Sequence, residues 1–140
     1  MPGSDLQGML DSAPVHRALG LRVARADDHG LILHAQPGPE HAGADDSEFL
    51  HGGVVATVLD TTATFALIAA TGTDWSTVDL RVDFLRPAPA GPLEARGRAV
   101  QAGRRLGRAT AELYAAGSHR LLASAAGTFV RADPEPGADT

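Results

Sequence analysis

One carboxylate, Asp60, stands alone in the middle of a long stretch of the chain. Between Gly52 and Thr73 it is the only charged side chain. Moving a carboxylate out of water costs free energy, so an acid kept at such a position indicates a chemical role as a base or a nucleophile. The stretch is long enough for about five turns of α-helix, and we predict a helix from His51 to Gly72.

The predicted helix opens with the sequence His51-Gly52-Gly53. The first backbone N–H groups of a helix lack partners within the helix and lie at its positive end. Glycine offers these N–H groups at little steric cost. The start of this helix can therefore hold an oxyanion.

The helix has two different faces at 100° per residue. The Asp60 side is mostly small, which allows a second subunit or a ligand to approach; it carries Gly53, Ala56, Thr57, Ala63, Thr64 and Leu67. The opposite side suits burial against a sheet and carries Val54, Val55, Val58, Thr62, Phe65 and Ala69. Two structural interpretations stay open, namely a membrane span and a core helix whose Asp60 pairs with an arginine.

Composition limits the class of protein. The chain has 140 residues, of which 44% are hydrophobic, so we expect one domain with a substantial core. The absence of cysteine removes disulfides and thiolate chemistry and fits a cytoplasmic location, as does an N-terminus without a secretory signal. A net charge of -5 argues against nucleic-acid binding. All twelve basic residues are arginine, which excludes Schiff-base chemistry at a lysine.

Apolar periodicity and turn residues predict the elements around the central helix. One or two short helices are expected between Leu6 and Leu19. Six strands are predicted, at Leu21–Ala26, Leu31–Gln36, Ser76–Leu85, Leu93–Gln101, Leu106–Ala116 and Arg120–Val130. Strict alternation in the third strand places Thr77 on its polar face, with Asp79 and Arg81. Strands joined by short turns around a single long helix predict an antiparallel sheet wrapped on that helix, in the α+β class.

Two segments of this sequence together resemble a known family. HGGVVATVLD at 51–60 and TVDLRVDFLRPAPAGPL at 77–93 are similar to the hotdog-fold acyl-CoA thioesterases, specifically the PaaI-like branch. The resemblance extends from about Gly20 to Arg131. It implies a hotdog fold, with about six antiparallel strands around one long central helix. The residues outside the resemblance predict a helical cap over 1–20 and a disordered Pro/Gly/acidic tail over 133–140, which leaves the hotdog thioesterase domain over 21–132.

The resemblance also implies an activity and residue roles. The activity is hydrolysis of a small acyl- or aryl-CoA thioester to free acid and CoA, without a metal or organic cofactor. Asp60 is then the catalytic carboxylate, as nucleophile or as general base, and the Gly52 N–H polarises the thioester carbonyl. His51 helps to orient the substrate, and Thr77 assists the water. In such proteins each site is completed across a homodimer, with the His-Gly end from one subunit and the carboxylate from the other.

Further substrate contacts are expected around these residues. Gly53 and Thr64 lie on the Asp60 side of the helix. Asp45 and Glu48 stand where many PaaI-like members carry Asn and Gly. The turn with Arg104 and Arg105 can hold the phosphates of coenzyme A, because guanidinium groups bind phosphate bidentately, although a solvated hairpin with surface arginines is the alternative.

Other functions are weighed against this hypothesis. A hotdog enoyl-CoA hydratase or dehydratase needs a second acid or base, and His51 or Glu48 is available for it. A non-catalytic acyl-CoA-binding protein is the second rival. A metal site at His29, His34 and His41 is disfavoured by their loose spacing, and a serine triad by the lack of G-x-S-x-G. At least a dimer is expected, because a six-stranded sheet leaves two edges and one sparsely covered face; dimer and tetramer both stay open.

Overall fold

The computed structural model describes residues 3–132, so the predicted tail at 133–140 lies outside it. In chain order the elements are the helices α1 (Gly3–Asp11) and α2 (Pro14–Ala18), the strands β1 (Arg22–Asp27) and β2 (Gly30–Ala35), the helix α3 (Gly52–Thr71), and the strands β3 (Trp75–Phe84), β4 (Leu93–Ala102), β5 (Leu106–Ala115) and β6 (Leu121–Arg131). A short 3-10 helix, Pro39–His41, precedes α3. Each predicted strand is confirmed, with bounds within one residue of those expected.

The six strands form one antiparallel sheet in the order β1-β2-β4-β5-β6-β3. The order places β3 at an edge beside β6, although β3 directly follows the helix along the chain. Helix α3 packs across strands β2 to β6 on one face of the sheet. Fully buried side chains fill the space between helix and sheet, among them Leu33, Leu59, Leu67, Leu113 and Phe129.

Helix α3 is the core element of the fold. Among the helices that the structure describes, it alone is long and apolar enough to cross a membrane, and 56% of its most apolar window is buried inside the protein. Its threonine hydroxyls donate to carbonyls one turn earlier, so they add no unpaired polar group to the core. Gly72 ends the helix at φ 75°, a left-handed conformation that glycine adopts without strain.

The open side of α3 is narrower than the sequence analysis predicted. Ala63 and Leu67 were expected on the Asp60 side, yet both are fully buried. Helix α3 contacts both the sheet and helix α1, so periodicity alone overestimates the uncovered width. The part of the predicted open side that is not buried consists of Gly53, Ala56, Thr57, Asp60 and Thr64.

A β-bulge in β3 corrects the predicted orientation of Thr77. Thr77 pairs with Phe129 and Asp79 pairs with Thr128, so Val78 is an extra residue in the strand. Directly paired residues of an antiparallel sheet share a face. Because Phe129 is buried under α3, Thr77 lies on the helix side, and the prediction that it shares the face of Asp79 and Arg81 is wrong.

Candidate active site

The Asp60 carboxylate and the Thr77 hydroxyl meet between α3 and β3. Thr77 Oγ1 donates a hydrogen bond of 2.6 Å to Asp60 Oδ1. The bulge at Val78 makes this contact possible, because it turns Thr77 towards the helix. In the single chain Asp60 is half-buried and Thr77 is exposed. The pair is therefore oriented but open on one side.

No arginine neutralises Asp60 among residues 3–132, where it takes part in no ion pair. The alternative of a structural ion pair between Asp60 and an arginine is therefore not supported within the described chain. Thr64, one turn further along α3, donates its hydroxyl to the Asp60 backbone carbonyl at 2.8 Å. Because this bond uses only the backbone carbonyl, the Asp60 carboxylate is bonded to Thr77 alone and can meet a ligand from its open side.

The two glycine N–H groups at the start of α3 are in different states. His51 Nδ1 accepts a hydrogen bond from Gly53 N at 2.8 Å, and the His51 carbonyl accepts from Val54 N at 2.9 Å. For the Gly52 N–H the structure gives no acceptor among the described residues. Of these three donors at the positive helix end, Gly52 alone is open to a ligand.

His51 has a structural role at the start of α3 besides the predicted role in orienting the substrate. Its ring caps the helix, and a β-carbon on Gly53 would lie 3.0 Å from His51 Nδ1, so the second glycine makes room for the ring. Because Nδ1 accepts a bond, the neutral imidazole carries its proton on Nε2. The exposed His51 ring thus presents an N–H donor next to Gly52.

An apolar cavity of about 310 Å³ lies beside Gly52. Its walls are mostly apolar side chains around the helix start and the end of β3: Leu50, Gly52, Val55, Phe84, Leu85, Arg86, Pro87 and Ala88. A β-carbon on Gly52 would lie 3.5 Å from the Phe84 ring, which is 57% exposed. Sequence reasoning missed Phe84, because its place in the alternation is also that of an ordinary core residue.

The acid and the open N–H are too far apart within one chain to act on the same carbonyl. Asp60 follows Gly52 by eight residues, which is about 12 Å along the axis of a helix. Strand β3 passes both positions, with Thr77 near its start and Phe84 near its end. A single chain therefore places the two groups near opposite ends of β3. Two larger concavities of the described chain, of about 460 and 810 Å³, are lined by neither Asp60 nor Gly52.

The remaining predicted residues lie at the periphery. Asp45 and Glu48 are exposed on a small loop closed by the bridge between Ala42 and Leu50, and the structure gives neither acid a contact to Asp60 or Gly52. Arg104 and Arg105 are exposed on the β4–β5 turn, at the same end of the sheet as the start of β3. Within residues 3–132 no group of three His, Asp or Glu side chains is placed to bind a metal ion.

This architecture, an antiparallel sheet of six strands wrapped around one long central helix, is the hotdog fold. The family model of the thioesterase superfamily matches residues 48–121, which include the helix start, Asp60 and Thr77. The chain belongs to the thioesterase superfamily. The predicted fold and enzyme class, a hotdog-fold thioester hydrolase, are thereby confirmed.

Three known proteins illustrate the relationship. The medium/long-chain acyl-CoA thioesterase YigI of Escherichia coli K12 is 30% identical over 132 residues, covering 84% of each chain. A thioesterase family protein from Silicibacter pomeroyi has 28% identity and a TM-score of 0.81, covering 91% of this chain and 96% of its own. The Escherichia coli PaaI protein, from the phenylacetic acid degradation operon, has a TM-score of 0.81 at 21% identity, covering 93% and 92%. The likeness to PaaI concerns the fold alone.

Proposed function

We propose that this protein hydrolyses acyl-CoA thioesters to a free acid and CoA, in sites that two copies of the chain build together. The observation that carries the proposal is the pair of half-sites: an open Gly52 N–H at one end of β3, and an Asp60 carboxylate bonded to Thr77 at the other. The relatives named YigI are medium/long-chain acyl-CoA thioesterases, which supports CoA as the thiol carrier.

The reaction needs a base or nucleophile and a donor for the developing oxyanion. Asp60 either takes a proton from the water that attacks the carbonyl carbon, or attacks that carbon itself to give an anhydride that water then hydrolyses. In both routes negative charge grows on the carbonyl oxygen, where the Gly52 N–H stabilises it. Cleavage of the carbon–sulfur bond then gives the free acid in the first route and the anhydride in the second, and CoA leaves as a thiolate that takes up the proton released by the water. No step requires a metal or an organic cofactor.

Edge pairing of β3 explains how two copies would complete the site. The outer edge of β3 has no partner strand in the described chain, and such an edge is a template for pairing. An antiparallel pair around a two-fold axis at Arg81 sets Leu80 opposite Val82 of the partner subunit and, past the bulge at Val78, Thr77 opposite Phe84 of the partner subunit. Asp60 of one subunit then approaches Gly52 of the other. We therefore propose a homodimer, or a homotetramer of such dimers, as the active form.

The substrate is proposed to lie along this interface. The acyl group enters the apolar cavity beside Gly52, and the His51 Nε2–H and the Gly53 end of the helix flank the thioester. Thr64 borders the carboxylate, while Asp45 and Glu48 line the approach from the loop before α3. Arg104 and Arg105 receive the CoA phosphates. We place the enzyme in the cytoplasm, acting on small molecules rather than on nucleic acid or a membrane.

A thiol-release screen tests the activity directly. Purified protein is incubated with a panel of acyl-CoA thioesters, from phenylacetyl- and short-chain to medium- and long-chain, and free CoA is measured with a thiol reagent. We expect free CoA from at least one thioester. Binding of acyl-CoA without thiol release would indicate a carrier, and a change in enoyl absorbance without thiol would indicate a hydratase; either result contradicts the proposal.

Thr77→Ala is expected to lower kcat about tenfold, because Asp60 loses the hydrogen bond that orients Oδ1. Thr77→Ser keeps a hydroxyl at the same position and is expected to retain most of the activity. Steady-state kinetics on the best acyl-CoA check both variants, with circular dichroism as the control for folding. Equal rates for Thr77→Ala and the parent would remove Thr77 from the site.

Phe84→Ala is expected to shift acyl specificity towards longer or bulkier groups, because the ring forms one wall of the cavity beside Gly52. Leu106→Ala is the matched control: Leu106 is 56% exposed, much as Phe84 is, but does not line this cavity. The measurement is the ratio of kcat/KM between a long and a short acyl-CoA. An unchanged ratio in Phe84→Ala would mean that the acyl group lies elsewhere.

A further inference from the structure

The β4–β5 turn presents two positive charges without partners. Arg104 and Arg105 are exposed, and neither side chain takes part in an ion pair or a hydrogen bond within residues 3–132. The backbone of the turn is closed by Gly103 N donating to the Leu106 carbonyl at 2.8 Å. The two guanidinium groups are thus available to an anionic ligand, on a backbone whose geometry is fixed.

Arg131, at the end of β6, holds the backbone of the β4–β5 turn in place with hydrogen bonds. Its Nη2 donates to the Gly103 carbonyl at 2.8 Å and its Nε to the Arg104 carbonyl at 3.1 Å. Its backbone N–H donates to the Arg105 carbonyl at 2.7 Å, so three consecutive carbonyls of the turn are bonded to one residue. The remaining bond, from Nη1 to Thr73 Oγ1 at 2.6 Å, ties the same guanidinium to the loop that leads into β3.

The guanidinium of Arg131 packs on the indole ring of Trp75. The guanidinium carbon lies 4.5 Å from the centre of the Trp75 ring, and the indole is only 3% exposed. A β-carbon on Gly107 would lie 2.8 Å from the Trp75 indole, so only glycine fits at position 107. Trp75 Nε1 donates to Thr71 Oγ1 at 2.9 Å, which joins the cluster to the last turn of α3.

This cluster connects the arginine turn to the catalytic half-site. Trp75 lies two residues before Thr77 on β3, and Thr71 lies on the helix that carries Asp60. The side chain of Arg131 is occupied by carbonyls, a hydroxyl and the indole, so it does not itself serve a ligand. Its effect on a bound phosphate must therefore pass through the position of Arg104 and Arg105.

We propose that Arg131 is a positioning residue that holds the Arg104–Arg105 turn at a fixed place relative to Asp60, so that the turn binds the phosphates of CoA. The inference rests on the proposed function, since it names the part of the same substrate that this turn recognises. Arg131→Met removes both side-chain bonds to the turn and leaves Arg104 and Arg105 present but loosely placed.

The test compares two thioesters with the same acyl group, one of CoA and one of pantetheine, which lacks the nucleotide and its phosphates. Arg131→Met is expected to lower kcat/KM for the CoA thioester about tenfold, mainly through KM, with less than about twofold effect on the pantetheine thioester. A merely structural role would lower both alike. Arg22→Met is the control, because Arg22 is an exposed arginine on β1, at the sheet edge opposite to β3, and its side chain makes no hydrogen bond or ion pair within residues 3–132.

A double-variant cycle makes the assignment specific. Arg104→Gln with Arg105→Gln touches only exposed side chains and is expected to cause the same selective loss. Adding Arg131→Met to that pair should then change the CoA-to-pantetheine ratio no further, since the groups that it positions are gone. Arg131→Lys keeps the charge but replaces the planar fork, whose Nε and Nη2 bond separate carbonyls, by a single ammonium nitrogen, so it should behave more like Arg131→Met than like the parent; full rescue by lysine would overturn the proposal.

Calorimetric binding of CoA and of pantetheine separates this inference from the proposed hydrolysis. If the parent binds CoA more tightly than pantetheine, and Arg131→Met binds CoA about tenfold more weakly than the parent does, the positioning role is supported even if no thiol is released. Hydrolysis of acyl-CoA with equal losses on both thioesters, or with no loss in Arg131→Met, overturns the positioning role and leaves the hydrolysis standing. Equal affinity of the parent for CoA and pantetheine also overturns it.

Discussion

Asp60→Asn is expected to lower thioester hydrolysis by about a thousandfold in a protein that stays folded and assembled, because the amide can serve neither as a base nor as a nucleophile. The amide has the shape of the carboxylate, and its oxygen still accepts the Thr77 hydroxyl that lies 2.6 Å from Oδ1. Since Asp60 has no ion-pair partner among the described residues, no opposite charge is left unpaired by the change.

The measurement is thiol release on the best acyl-CoA, with circular dichroism and size-exclusion chromatography as controls. Glu48→Gln tests the rival carboxylate, which is exposed on the loop before α3. Near-parental turnover by Asp60→Asn would remove Asp60 from the chemistry. Loss of activity in Glu48→Gln instead would indicate that Glu48, on the loop before α3, is the catalytic acid.

Gly52→Pro has the second large expected effect, a loss of about a hundredfold or more in kcat, because proline has no N–H to offer the oxyanion. Proline is well accommodated at the first position of a helix. His51, the preceding residue, has φ -57° and ψ 137°, in the extended region that a following proline requires. The substitution therefore removes the donor and places the ring where the carbonyl oxygen would lie, without breaking α3.

Gly52→Ala is the matched control for this variant. Its β-carbon would lie 3.5 Å from the Phe84 ring, an ordinary contact, and the N–H is kept. We expect Gly52→Ala to retain activity within about fivefold of the parent, against the oxyanion-donor loss expected for proline. Equal losses in both variants would indicate that the β-carbon, rather than the missing N–H, blocks the substrate.

The fold was largely predictable because its signals are local. Helix α3 is marked by its length, by His51-Gly52-Gly53 at its start and by Gly72 at its end, and the structure places caps at both. The strands carry period-two patterns bounded by Gly, Pro and Asp turns, such as the turn in which Asp27 Oδ1 accepts from His29 N. Such signals act over a few residues, so one sequence contains them fully.

The position of Thr77 was not predictable from alternation, because the pattern contains no sign of the bulge at Val78. Val78 is apolar and fits the repeat, yet it is the extra residue of β3 and is 62% exposed. The bulge is set by pairing with β6, which follows β3 by some forty residues in the chain. The contact between Thr77 and Asp60 thus depends on long-range register.

The support of the arginine turn was missed for the same reason. Arg104 and Arg105 are conspicuous in the sequence, whereas Arg131 and Trp75 are distant from them and look ordinary. Only the sheet order brings the end of β6 and the start of β3 next to the β4–β5 turn. The Gly52 N–H was named by the resemblance alone, since the residues themselves do not show which glycine N–H donates to the His51 ring.

Both large predictions concern one proposed site, in which Asp60 and the Gly52 N–H come from different subunits. This arrangement can be tested with whichever acyl-CoA the thiol-release screen identifies. Chains carrying Asp60→Asn and Gly52→Pro are co-expressed with different affinity tags, and the mixed dimer is purified through both tags. In that dimer one site holds both defects, and the other combines an intact Asp60 with an intact Gly52 from the two chains.

The thiol-release rate of the purified mixed dimer is the most direct measurement. If the site is shared, the mixed dimer recovers about half of the parental rate, since one of its two sites is intact. If each chain contained a complete site, every site in the mixed dimer would carry one defect. A mixed dimer as inactive as the two single variants would therefore contradict the shared site.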